Sequence, residues 1–108
     1  MFFTLFKTNG EVIKLPNKEP TPKQVYKILD CNDTETGLIG ILFNDKDHHN
    51  ATYIMDDIAI PKHKPPNTRL SDAMSKSWYW RNVDLRNKND GRIVICGDVI
   101  VATEEELF

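Results

Sequence analysis

Ile93-Val94-Ile95-Cys96-Gly97-Asp98-Val99-Ile100-Val101-Ala102 is the stretch on which the fold turns. Two β-branched runs flank a Gly-Asp pair. β-branched side chains are stiff at χ1 and suit a pleated surface, whereas glycine admits a bend. The stretch therefore reads either as a tight hairpin or as one long strand with a glycine bulge. Both readings make strands the dominant element of this end of the chain.

The other end repeats the theme. Phe2 to Phe6 is rich in aromatics and reads as a strand, and Glu11 to Leu15 reads as its return. Asn9-Gly10 between them is a strong hairpin signal, because both residues tolerate positive φ. Pro16 ends the second strand. Thr21-Pro22-Lys23-Gln24 then starts a helix: threonine caps, proline suits the first helical position, and glutamine completes a capping box. Val25, Ile28 and Leu29 share one face with Tyr26 beside them, so the helix is expected from about Pro22 to about Cys31.

Leu38 to Phe43 is a nearly continuous apolar run of strand length and reads as a central strand. Asn44 to Asn50 is a charged loop. Ala51 to Ile60 reads as one bent strand or two short ones, interrupted at Asp56-Asp57. Pro61-Lys62-His63-Lys64-Pro65-Pro66-Asn67 cannot join a sheet interior, because its prolines lack N–H donors; an exposed, positively tinted loop is expected. Arg69 to about Lys76 suits a short helix, and the Glu104-Glu105-Glu106 tail reads as solvated. The sum is a single α+β domain over residues 1–108. It has an antiparallel or mixed sheet of about five or six strands, with one main helix packed on one face.

Composition narrows the class. The 108 residues are 40% hydrophobic and 28% charged, with a formal net charge of -2. One modest core follows, with dimerisation a plausible source of added stability. So small a net charge excludes a whole-surface affinity for nucleic acid. The apolar start Met1 to Phe6 is too short for a signal core or a membrane span, so a protein inside the cell, away from membranes, is expected. Cys31 and Cys96 lie far apart and read as reduced thiols.

The candidate chemistry is thin. Asp45, Asp47, His49 and Asp56 fall at calcium-loop spacing. However, Asn50 stands where the glycine is needed, an aspartate replaces the final glutamate, and histidine is a poor calcium ligand. Adjacent His48 and His49 point apart in an extended chain and cannot readily share a transition metal. Asp56 and Asp57 would face opposite sides of a strand, which suits a bend or a salt bridge to Arg69 or Arg92 better than paired acid–base work. Cys31 follows a helix C-terminus, where the dipole blunts a thiolate. The five glycines form no phosphate-binding loop. Neither a catalytic constellation nor a cofactor or metal site is expected.

What remains is Lys62-His63-Lys64, Asn67, Arg69 and the run Ser77-Trp78-Tyr79-Trp80-Arg81, which holds both tryptophans of the chain. Trp, Tyr and Arg are the usual anchors of protein interfaces, and the same mixture can stack a base and pair a phosphate. The alternative is structural: one indole plugs the core, the other covers a sheet edge, and Arg81 lies over a ring. The binding residues expected are Asn67, Arg69, Trp78, Tyr79, Trp80 and Arg81.

Several short runs carry a resemblance. These are Gly10-Glu11-Val12-Ile13, the helix around Gln24 to Leu29, Tyr53-Ile54-Met55-Asp56-Asp57, Pro65-Pro66-Asn67-Thr68-Arg69, and Ile95-Cys96-Gly97-Asp98-Val99-Ile100-Val101. In their order they resemble a small uncharacterised domain family encoded by phages, mobile elements and large DNA viruses. The resemblance covers most of the chain. It departs where Thr68 separates Asn67 from Arg69, and the Trp78–Asn89 segment reads as an insertion to which nothing carries over. The resemblance implies a virus- or phage-encoded accessory protein in the host cytoplasm, and it implies no activity. The expected function is non-enzymatic, non-covalent binding of a host or viral macromolecule, with a protein as the first partner. The alternatives are a nucleotide or other small-molecule binder that sequesters a signalling nucleotide, and a minor virion component.

Overall fold

The computed structural model describes residues 1–40, 51–56, 59, 62–76 and 95–104. Five strands and two helices lie among them: β1 (Phe2–Phe6), β2 (Val12–Lys14), α1 (Pro22–Leu29), β3 (Thr34–Gly40), β4 (Ala51–Asp56), α2 (Thr68–Lys76) and β5 (Val99–Thr103). The strands form one sheet in the order β2-β1-β5-β4-β3. Every pairing is antiparallel. The class is thus α+β, with an antiparallel sheet.

β5 lies between the two hairpin pairs. Phe2 to Phe6 pair with Thr103 to Val99 on one side, and Thr52 to Ile54 pair with Ala102 to Ile100 on the other. All five of its residues are buried. A strand covered on both faces needs no polar alternation, which is why Val99-Ile100-Val101-Ala102 is apolar throughout. Leu38 was the residue expected to open a central strand. It belongs instead to β3, which pairs with β4 at the outer end of the described sheet. The apolar run suits either position, and only the pairing separates them. Ile41 to Phe43 lie outside the described residues.

Side-chain alternation along β1 and β5 divides the core in two. Phe3, Leu5, Ile100 and Ala102 share a buried cluster with Val25, Leu29 and Cys31. Phe6, Val99 and Val101 share another with Leu70 and Ile95. α1 thus contributes to one cluster and α2 to the other.

Local sequence chemistry explains α1. Gln24 N donates to Thr21 Oγ1 at 3.3 Å and Thr21 N donates to Gln24 Oε1 at 2.8 Å, so the capping box is complete. Pro22 opens the helix, and Asp30 ends it in the left-handed region at φ 52°. Gln24 is exposed, and Val25, about 100° round the helix, is buried.

The β1–β2 turn differs in detail from its expectation. Gly10 N donates to Lys7 O at 3.1 Å and Lys7 N donates to Glu11 O at 2.9 Å. Gly10 alone takes positive φ, at 92°, and Asn9 does not. A turn followed by a glycine bulge relieves Asn9 of the left-handed conformation that a two-residue hairpin loop would require. Asn9 serves through its side chain: its Oδ1 accepts from Glu11 N at 2.9 Å and its Nδ2 donates to Glu11 Oε1 at 2.6 Å.

Ile95 to Ala102 forms neither a tight hairpin nor one continuous strand. The chain bends at Gly97, whose φ is +82°, and β5 begins two residues later. Cys96 pairs across the molecule with Pro66. Asn67 N donates to Ile95 O at 2.7 Å and Gly97 N donates to Pro65 O at 2.8 Å. The proline loop does enter a sheet-like pairing after all. It uses only the carbonyl of Pro65 and the N–H of Asn67, groups that proline rings do not remove.

Candidate functional site

Asn67 follows the loop's last proline and sits at the cap position of α2. Its side chain is fully buried at 0% exposure. Nδ2 donates to Phe6 O at 2.8 Å and to Gly97 O at 3.0 Å, while Oδ1 accepts from Leu70 N at 3.3 Å. Its backbone N–H goes to Ile95 O, and its carbonyl accepts from Ser71 N at 2.9 Å. Every polar atom of the residue is engaged. Asn67 was expected as a binding residue, yet it has no exposed atom to offer a partner. It joins β1, the Gly97 bend and the start of α2.

Asp56 ends β4 and is 2% exposed. A buried carboxylate is costly unless paired. Two lysines pair with it: Lys62 Nζ lies 3.0 Å and Lys64 Nζ 2.8 Å from Oδ2. Lys64 also donates to Leu29 O at 2.8 Å and to Asp30 O at 2.9 Å. An ammonium has three donors, and Lys64 uses them on the last carbonyls of α1 and the last residue of β4. The backbone between supports this geometry. Ala59 N donates to Asp56 O at 3.3 Å, Lys64 N donates to Ala59 O at 3.0 Å, and His63 takes a left-handed φ of 56°.

The charges act on their neighbours. The hydrogen bond to Asp56 raises the Lys62 ammonium above its ordinary pKa of 10.5. Burial, and next the Asp56 carboxylate, push the Cys31 thiol above 9.0, against the pull of Lys64 and Lys62. Cys31 is therefore held as a thiol, and burial rather than the helix dipole is the main reason. Both cysteines are free.

The outer side of the same loop is open. Lys62, His63, Pro65, Pro66, Thr68 and Arg69 are exposed. Arg69 Nη1 donates to Gly10 O at 3.2 Å, which fixes the guanidinium beside the β1–β2 turn. Thr8 N donates to Asp98 Oδ1 at 2.9 Å across the same corner. Of the expected binding residues, Asn67 is thus interior and Arg69 lies on this surface. Trp78, Tyr79, Trp80 and Arg81 lie outside the described residues, as do Asp45 to Asn50, Asp57 and Arg92. Among the described residues, no three His, Cys, Asp or Glu side chains converge as metal ligands. No described helix is long and apolar enough to cross a membrane.

Sequence reasoning counted Lys62 and Lys64 among the candidate binding cations but missed their pairing with Asp56. The signal was present in Asp56, a carboxylate inside an apolar run, followed within eight positions by two lysines on a proline-stiffened loop. No protein-family model matches the chain, and neither a curated protein nor a solved structure shows significant similarity to it.

Proposed function

We propose that this chain is a virus- or phage-encoded accessory protein that works by non-covalent binding of another macromolecule, in the first place a protein. The observation that carries this reading is the construction of the 62–69 segment. Its inner side is pinned by Asn67 and by the Asp56–Lys62–Lys64 cluster. Its outer side presents His63, Pro65, Pro66, Thr68 and Arg69. A surface fixed before contact loses little conformational entropy on binding, and preorganisation of that kind favours affinity. Trp78 follows the end of α2 by two positions, so we assign Trp78, Tyr79, Trp80 and Arg81 as the anchors of the same interface, with Arg69 beside them. The viral origin and the host-cytoplasmic setting rest on the resemblance of the sequence runs. In this reading the protein holds its partner and does not transform it.

The test is affinity purification from infected cells, followed by binding measurements with the partner recovered. Trp80→Ala is expected to weaken that binding by at least tenfold, about 1.4 kcal/mol, while the melting midpoint stays within a few degrees of the parent. A Trp80→Ala protein that unfolds assigns the indole to the core. One that binds with full affinity removes the anchor.

A further inference from the structure

We infer that the hollow at the C-terminal end of α1 binds a small phosphate-bearing molecule, with Lys27 and Lys62 as its cations and Tyr26 as its apolar wall. The hollow encloses about 410 Å³ and is lined by Tyr26, Lys27, Asp30, Cys31, Asn32, Lys62 and Lys64. That volume is within the range of small-ligand sites, roughly 300–1,000 Å³.

The carbonyl end of a helix normally repels an anion. Here Lys64 already satisfies Leu29 O, Asp30 O and the Asp56 carboxylate, so the local negative charge is met from within the fold. Lys62 gives one hydrogen bond to Asp56, which leaves two of its three donors for a ligand. The side chain of Lys27, in the last turn of α1, has no hydrogen-bond or ion-pair partner among the described residues. Two ammonium groups with donors to spare at the mouth of a concave site are the chemistry of phosphate capture.

Asp30 also lines the hollow. Its carboxylate disfavours a bare anion and suits a ligand carrying a hydroxyl or amino donor alongside its phosphate. A nucleoside monophosphate has both, and Tyr26 offers its base a ring to lie against. This inference uses neither Trp80 nor Arg69. Failure of the macromolecular reading would leave it standing, and the reverse holds too.

The experiment is calorimetric titration of the full chain with AMP and with adenosine, paired with thermal melts. AMP is expected to saturate one site at millimolar concentration and raise the midpoint by a few degrees, whereas adenosine does neither. Lys62→Gln and Lys27→Gln are each expected to weaken AMP about tenfold, the size of one lost charge-assisted hydrogen bond. Lys27→Gln should match the parent's ligand-free midpoint, whereas Lys62→Gln also gives up one of the Asp56 pairs and should lower it slightly with Lys64 still in place, so AMP affinity is compared at a temperature well below both midpoints. Amide shifts on AMP addition are expected at Tyr26, Cys31 and Asn32. No AMP binding, equal binding of adenosine, or undiminished AMP affinity in both lysine variants overturns the assignment.

Discussion

Two irregular segments, each built around an asparagine, are held in opposite ways. In the 7–11 turn, the Asn9 side chain bonds, among the described residues, only to Glu11, two residues on, and these bonds are exposed. In the 62–67 loop, Asn67 bonds to Phe6 and Gly97, 61 and 30 positions away, and its bonds are buried. The first segment is shaped by its own sequence. The second is shaped by the rest of the molecule and in turn holds that molecule together.

The comparison is broken or upheld most clearly by the two asparagines. Asn67→Ala leaves Phe6 O, Gly97 O and Leu70 N without the partner they have now. The two buried carbonyls that lose their amide donor cost about 1–3 kcal/mol each, and loss of the cap bond to Leu70 N adds about 1. The total is expected on the order of 4 kcal/mol, enough to lower the melting midpoint by about 20 °C in a domain of this size. Asn9→Ala removes exposed local bonds and is expected to cost about 0.5 kcal/mol. Chemical denaturation of the two variants measures both. Equal effects would show that burial and sequence distance are not what separates the segments.

The glycines give a second, smaller contrast. Gly10 and Gly97 both hold positive φ, so alanine is strained at either. A Cβ at Gly10 meets nothing within 4 Å, whereas one at Gly97 meets Lys64 Cδ at 3.1 Å and Ala59 Cβ at 3.7 Å. Gly10→Ala is expected to cost about 1 kcal/mol. Gly97→Ala is expected to cost about 2 kcal/mol, because Lys64 must also shift away from the carbonyls and carboxylate that it joins. The midpoint difference between the two proteins reads out the clamp.

The smallest effect is expected from alkali. Cys31, Tyr53 and Lys62 all hold their protons more tightly than their ordinary values of 9.0, 10.0 and 10.5, for Tyr53 because of burial and then Glu35. Raised folded pKa values mean that the native chain binds more protons than the unfolded one across that window. Stability is therefore intact below pH 9.0 and falls as pH rises through the folded values. A melting series from about pH 8 to about pH 11, which spans the ordinary thiol and phenol pKa values, is expected to show the decline. Cys31→Ala is expected to delay its onset; an unchanged onset would show that the thiol beside the loop contributes nothing.

Much of the frame was legible where the cause was local. The capping box of α1 is written in Thr21 and Gln24, and the end of the first strand in Asn9-Gly10. Val99 to Ala102 announced a strand by its β-branching. The position of that strand between the two hairpins was not written, because pairing partners lie far away in sequence. The same holds for the 62–67 loop. Proline content correctly excluded a regular strand, yet it says nothing about a carbonyl and an N–H on either side of the rings. Asp56 stood out as a misplaced charge, but its pairing with Lys62 and Lys64 required the left-handed turn at His63. Asn67 caps a helix as asparagine often does, while its two long-range carbonyl partners left no trace in the chain around it.

The pairing of Pro66 with Cys96 carries a consequence for how the chain threads. The cross-strand donors are the N–H groups of Asn67 and Gly97. If the loop slipped by one position, the ring nitrogen of Pro66 would take the place of Asn67, and by two, that of Pro65. Neither nitrogen has a hydrogen to give. The two prolines thus act as proofreaders: they contribute nothing to the correct alignment that another residue could not, and they make the nearest wrong alignments in that direction unsatisfiable.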